Sequence, residues 1–411
     1  MIRRMISMLL LVFAFATSAT AQNGVLPRPD LALTGVRTID VKTGNVSSPT
    51  TVLLSAGKIA SLSADRIPEG AERIDLTGLF LLPGLMDAHT HLDTLSEARR
   101  ALESGVTTVR SASVGSFRDV ALRELVRAGR VIGPDVLAAG IFVTTNLGDS
   151  ILADLDLAEL AGGVNTLDDL RRLVRVNLKH GVDVIKTRGT ERAGLPDTDP
   201  RKQVYSEAQL RAVVEEAARQ NVPILCHAHG DEGARAAVQA GVRSIEHGTY
   251  LSDETLRLMK ERGTYLVPTY STVVDLTEPD GDYDNPILRL RGAHMLPQLA
   301  STIRRAHALG VPIVTGADTG YGPESLLRIS LEVVAFAELG LSPLQALQAA
   351  TVRAAELFRI GDQTGSLEVG KEADVIAVVG NPLEDIRTIQ DVVLVISNGR
   401  VGLNRLPFAK Q

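Results

Sequence analysis

The chain has 411 residues, a formal net charge of −6 and 45% hydrophobic residues, enough for one large domain or two ordinary ones with sizeable cores. With 3% aromatics, no tryptophan and an acidic balance, it lacks both the basic footprint and the stacking surface of a nucleic-acid binder. A single cysteine, Cys226, excludes an intrachain disulfide framework.

The N-terminal stretch MIRRMISMLLLVFAFATSATAQ sets two arginines before an apolar run and ends its small-residue segment at Ala19-Thr20-Ala21. That is the pattern of a cleaved secretory signal over residues 1–21. The run is too short for a transmembrane anchor and is followed by polar chain. Loss of Arg3 and Arg4, with no acid in that segment, would take the net charge from −6 to −8. An exported chain without disulfides points to a bacterial periplasm, with no stable membrane anchor after cleavage. Self-association is left open.

Residues 31–76 alternate Val, Leu, Ile and Thr between Gly-Lys and Thr-Gly-Asn turns, a strand signal. The stretch GSLEVGKEADVIAVVGNPLEDIRTIQDVVLVISNGRV near the C-terminus has the same texture. Segments 22–80 and 359–411 are therefore expected to pair into one small β-sandwich built from both chain ends.

Between them, over residues 81–358, a repeat of punctuation recurs. Helical segments end in Gly or Asn and a β-branched strand follows at once, in ESGVTTV, KHGVDVI, RQNVPIL, QAGVRSI, ERGTYLV and ALGVPIV. Gly and Asn tolerate the left-handed conformation that closes a helix. SEAQLRAVVEEAARQN and SDETLRLMKERG begin with Ser at a plausible N-cap. With LFLLPGLMDAHTHL and PDVLAAGIFV, eight strands alternate with helices. Strict alternation implies a parallel sheet, and eight units predict a (β/α)₈ barrel. No Gly-rich dinucleotide fingerprint follows the first strand.

Chemistry in such a barrel sits at the C-terminal ends of the strands. Those ends read DAHTHL, VIKTRG, ILCHAHG, SIEHGTY and VTGADTG. Because a strand alternates faces, His89 and His91 project the same way, as do His227 and His229. Lys186 shares a face with Val182 and Val184, where a lone ammonium would be costly to desolvate. The bland alternative is a lysine that snorkels to solvent or pairs with an acid. A carbamate on its amine would instead make it an anionic bridge between metals. One buried His or Asp at a strand end is usually structural, whereas five ends carrying ligand-type residues point to a shared metal. Imidazole and carboxylate without thiolate suit zinc or another first-row divalent ion.

Together these residues resemble the amidohydrolase superfamily, in its imidazolonepropionase-like and prolidase-like branch. PGLMDAHTHLD resembles the first-strand signature, HAHGDEGARAAVQAGVRSIEHG the fifth and sixth units, and TGADTG the eighth. The resemblance implies two divalent metal ions, zinc by the donor set. His89 and His91 would hold the first metal with Asp318, Lys186 would be the bridging carbamate, and His227 and His247 would hold the second. Asp318 would also shuttle the proton. His229 stands where several relatives carry a tyrosine that polarises the substrate carbonyl, and either takes that role or is a packed imidazole. Two departures stand out. Dipeptide-cleaving relatives carry Gly-Gly-His after strand three, where this chain has FVTTNLGDS. The Gly-rich segment after the lysine is replaced by TRGTERAGLPDTDP, in which Arg188 or Arg192 could clamp a carboxylate or simply be solvated.

The expected activity is hydrolysis of the amide bond of a dipeptide or an N-acyl amino acid. A mononuclear hydrolase of cyclic amides and a non-catalytic binding protein on a barrel scaffold are the alternatives. Cys226, facing away from His227 on its strand, is a poor nucleophile.

Overall fold

The computed structural model describes residues 25–26 and 28–409; the expected signal segment, residues 1–21, lies outside them. Near the N-terminus, alternation in LALTGVRT buries Leu31, Leu33 and Val36 on one side of β1 (Leu31–Thr38). β2 (Thr50–Ser55) and β3 (Lys58–Ser61) follow antiparallel, and β4 (Glu72–Asp75) lies parallel to the start of β1. β5 (Phe80–Pro83) pairs with Arg37 and Thr38 at the far end of β1.

The run LFLLPGLMDAHTHL is two strands, not one. β5 belongs to the sheet just described, and after Gly84 the chain enters the barrel as β6 (Leu85–Thr90). A Cβ on Gly84 would sit 2.0 Å from Thr107 Oγ1, so only glycine lets the chain pass between the two sheets here.

The barrel continues with β7 (Val106–Ser111), β8 (Asp135–Leu137), β9 (Ile185–Arg188), β10 (Ile224–Ala228), β11 (Ser244–His247) and β12 (Tyr265–Val267). They form two parallel arcs, β6-β7-β8 and β9-β10-β11-β12. Isolated bridges join the arcs: Val143 pairs with Thr187 on one side. On the other, Ile313 pairs with Leu266 and Thr319 with Thr90. The eighth expected strand, VPIV and its continuation, is thus an irregular extended segment. It gives N–H groups to Leu266 O and His89 O, from Val314 and Asp318, and is broken where Asp318 turns left-handed (φ 47°).

The helices between these strands follow their capping signals. Ser206 forms a capping box with Gln209 at the start of Glu207–Ala218, and Ser252 caps Asp253–Arg262. Gly241, Gly263 and Gly310 close three helices in the left-handed conformation.

After the barrel the chain returns to the first sheet. β13 (Val375–Val378) pairs antiparallel with β5, then β14 (Val392–Ser397) and β15 (Arg400–Asn404) complete the order β15-β14-β13-β5-β1-β2-β3. The two chain ends share one core that includes Leu33, Val52, Leu394 and Ile396. Among the described residues no helix is long and apolar enough to cross a membrane.

Candidate metal centre

Five imidazoles meet at the C-terminal mouth of the barrel. His89 is the penultimate residue of β6, His227 lies in β10, His247 ends β11, and His91 and His229 follow their strands by one residue. Ring centroids of His89 and His91 are 5.5 Å apart, those of His227 and His247 4.5 Å, and His229 stacks on His247 at 4.6 Å. His247, Asp318, Thr269 and Ser113 all hold positive φ (73°, 47°, 50° and 85°). Each such conformation costs about 1–3 kcal/mol and persists only where the surroundings enforce it.

Each ring has one nitrogen committed to the protein. His91 Nδ1 donates to Ser113 O at 2.6 Å, and His227 Nε2 donates to Glu191 O at 3.0 Å, since a carbonyl only accepts. His89 Nδ1 lies 2.7 Å from the Glu246 carboxylate. His247 Nδ1 and His229 Nδ1 meet the hydroxyls of Thr269 (2.7 Å) and Thr249 (2.9 Å). What is left free is Nε2 on four rings and Nδ1 on His227. Holding one imidazole nitrogen so that the other presents its lone pair is how proteins build metal ligands.

The free nitrogens fall into two groups. His89 Nε2 and His91 Nε2 approach Asp318 Oδ1 at 3.4 and 3.1 Å. His227, His229 and His247 each place a ligand atom within 4.8 Å of the others, as do His89, His247 and Asp318. Burial pushes the imidazoles of His89, His227 and His247 well below the ordinary histidine range, and that of His229 to about 3. They are neutral at pH 7, the form that coordinates. For Asp318, burial raises the carboxyl, but His89 and His91 outweigh it and hold it below the ordinary carboxylate range.

Lys186 lies between the groups. On β9 it lies opposite Leu225 of β10, and its Nζ is 3.1 Å from His89 Nε2. It is 3% exposed, and burial lowers its amine to about 8. Among the described residues no carboxylate comes within ion-pair distance of it. The alternative of a lysine that snorkels to solvent or pairs with an acid is therefore not what the fold provides. A buried amine among neutral imidazoles fits conversion to a carbamate, and the nitrogen and oxygen donors without thiolate fit a divalent ion.

The centre opens into a cavity of about 700 Å³. Arg188 and Arg192 both line it, and so does the FVTTNLGDS stretch through Phe142, Thr144, Thr145, Asn146, Leu147 and Ser150. The Arg188 guanidinium sits 4.9 Å over the Phe142 ring, and its buried Nε has no hydrogen-bond partner among the described residues. Neither arginine has a carboxylate within ion-pair distance among the described residues. Cys226 points into the core and burial raises its thiol to about 12, so it is not a nucleophile.

Several supporting residues escape a strand-end reading. Glu246 is fully buried and accepts from Arg110 Nη2 at 2.9 and 3.1 Å and from Ser244 Oγ at 2.5 Å, besides facing His89. Arg110 also donates to Ala88 O, so β6, β7 and β11 are tied together directly beneath His89. Asp87 accepts from Tyr321 Oη at 2.8 Å and from the N–H groups of His89 and Ala317, both at 3.0 Å. The signal was present: a Glu in SIEH and an Arg in VTTVRS, both strands of the barrel, each require a partner once buried.

Residues 80–402 match the Amidohydrolase family. The chain belongs to that family. It is a hydrolase of carbon–nitrogen amide bonds, and its fold positions a metal-binding cluster at the barrel mouth. Ochratoxinase from Aspergillus niger is 30% identical over 356 residues, covering 76% of this chain and 72% of that protein. Imidazolonepropionase from Vibrio vulnificus is 25% identical over 381 residues, covering 84% and 90%. Among solved structures, a Xaa-Pro dipeptidase with methionine bound in its active site superposes with a TM-score of 0.79 at 31% identity. It covers 90% of this chain and 99% of its own. Amidohydrolases as a family use divalent metals, and the imidazole and carboxylate groups gathered here are of that kind.

Proposed function

We propose that this amidohydrolase is binuclear and cleaves the amide bond of a dipeptide or an N-acyl amino acid. The observation that carries the reading is the pairing of two donor groups about Lys186 with two arginines that lack an acidic partner in the same cavity. His89, His91 and Asp318 would hold one ion, His227 and His247 the other, and a carbamate on Lys186 would bridge them. Zinc is the expected ion. Two divalent ions bound there would polarise the amide carbonyl and make water a nucleophile near neutral pH.

The chain's own groups do the rest. Asp318, at the mouth beside His89 and His91, accepts the proton released as water attacks and returns it to the leaving amine nitrogen, acting as base and then acid. His229 takes a hydrogen from the Thr249 hydroxyl at Nδ1 and donates from Nε2 to the carbonyl oxygen of the substrate. Arg188, stacked on Phe142, and Arg192 receive the substrate carboxylate. The mononuclear cyclic-amide reading leaves Lys186 without a task. Export to a bacterial periplasm is part of the proposal.

The deciding experiment is hydrolysis of a mixed library of dipeptides and N-acyl amino acids by zinc-loaded protein in bicarbonate buffer, read by mass spectrometry beside Asp318→Asn. Cleavage by the parent alone supports the reading. Two bound metals per chain with no cleavage of any carboxylate-bearing amide would refute the substrate assignment.

A further inference from the structure

The segment after β9 leaves the barrel at Thr190 and returns at Gln203, where the two pair in a single bridge. Its base is closed by its own residues. Glu191 accepts from Lys202 Nζ at 2.7 Å and from the Asp199 N–H at 2.9 Å, and its backbone N–H bonds to Lys202 O. Through Glu191 O this base also fixes His227. The tip is a different matter. Thr198 Oγ1 bonds to Arg192 O and Leu195 O within the loop, and among the described residues no hydrogen bond runs from the 193–198 tip to a barrel strand.

Ala193 at the start of the tip is buried against the core, and the carbonyls of the tip are gathered by one guanidinium from elsewhere in the chain. Arg291, in the second turn of the helix Pro286–Leu309, donates from Nη1 to Ala193 O and Leu195 O, both at 2.5 Å. From Nη2 it donates to Pro196 O at 3.2 Å and Thr198 O at 2.6 Å. Four carbonyls of a six-residue stretch turn inward onto one side chain. Tyr283, just before that helix, packs against Gly194, where a Cβ would stand 2.9 Å from the ring. Arg192, Ala193, Gly194, Leu195 and Tyr283 all line the substrate cavity. The planar fork of an arginine matches several acceptors at fixed angles, which a lysine cannot do.

We infer that Arg291 is a positioning residue for substrate: it acts through the 193–198 tip to hold Arg192 and the outer wall of the cavity where a bound carboxylate meets them. The loop base and His227 are anchored independently, so losing Arg291 releases the wall and leaves the metal ligands in place. The kinetic part of this inference rests on the amide-hydrolase reading proposed above, and the loop part does not.

The test uses Arg291→Met and Arg291→Lys in the full chain. Trypsin has three sites in the loop, after Arg192, Arg201 and Lys202. Arg291→Met should be cut after Arg192, which flanks the tip, roughly tenfold faster than the parent, with the base sites at Arg201 and Lys202 unchanged, because cleavage tracks the open population. Zinc content and thermal midpoint should match the parent. On a cleaved carboxylate-bearing amide, KM should rise roughly tenfold with kcat within about threefold, the split expected when binding contacts common to ground and transition state are lost. Arg291→Lys should recover part of both effects. Parental proteolysis rates in Arg291→Met would overturn the anchoring, whether or not a substrate is known. Faster proteolysis with unchanged KM would overturn the link to substrate. Lost zinc would show that the loop base is not independent.

Discussion

Glu246→Gln tests whether the ion pair beneath His89 supports the metal centre. The parent carboxylate is fully buried and serves Arg110, Ser244 and His89 at once. Glutamine keeps one acceptor oxygen and turns the other position into a donor, which must face either the Arg110 guanidinium or the His89 N–H. Arg110, 3% exposed, is left with an uncompensated buried charge. Removing one partner of a buried pair costs about 3–5 kcal/mol. In a chain of 411 residues, with an unfolding entropy of about 2.1 cal/mol/K per residue, that is a fall in thermal midpoint of roughly 3–6 °C. Measured on chelator-treated protein, the fall reports the ion pair alone. Metal affinity should drop separately, by about 10–100-fold, because His89 must now compete with Arg110 for one neutral acceptor oxygen and loses the carboxylate that orients it.

A second variant separates the two effects. Arg110→Met with Glu246→Leu removes both charges and leaves apolar groups, so stability should return to within about 1–2 kcal/mol of the parent. Metal affinity should stay low, since His89 Nδ1 then has no acceptor. Chelator titration followed by metal analysis measures the second quantity, and thermal unfolding the first. A Glu246→Gln protein that melts with the parent and binds metal equally would refute the account of this network. A double variant that regains full metal affinity would show that Glu246 matters for folding and not for His89.

Two further outcomes are expected. His229→Asn should lower kcat about 10²–10³-fold, the range for a lost carbonyl-polarising donor, with two metals still bound; loss of metal would instead make His229 a ligand, which its place beside His227 and His247 allows. Asp374, between β5 and β14, accepts from Thr364 Oγ1 at 2.9 Å and the Asn398 N–H at 2.7 Å, and burial, with Asp135 and Glu372 nearby, raises its carboxyl to about 8. The folded chain therefore keeps a proton that the unfolded chain releases near pH 4, so this group's stabilisation is full in acid and is lost as pH rises through about 8. Asp374→Asn should flatten the decline in thermal midpoint between about pH 4 and pH 8, and an unaltered slope would refute the assignment.

The contrast between Lys186 and Glu246 shows what a linear reading can and cannot reach. Lys186 is legible because its strand repeats at two residues, so a charge among valines stands out and a metal explains it. Likewise the Gly and Asn closures of the helices are local chemistry, and the alternation of elements they mark implies the parallel ring. Glu246 and Arg110 carry the same kind of anomaly, yet each is resolved only by the other, 136 positions away, and by a tautomer on a third strand. Strand order can be inferred without knowing which layer of the barrel two residues share. The same reason hid the break at Gly84, where an apolar run leaves one sheet and enters another because Thr107 crowds the place a side chain would need. It also hid Arg291, whose partners are backbone carbonyls in a loop that sequence alone leaves unshaped. Side chains whose partners lie in register along one strand are written locally. Those that bond across layers, or to main chain in loops, exist only once the barrel has closed, and here they are the groups that aim the ligands.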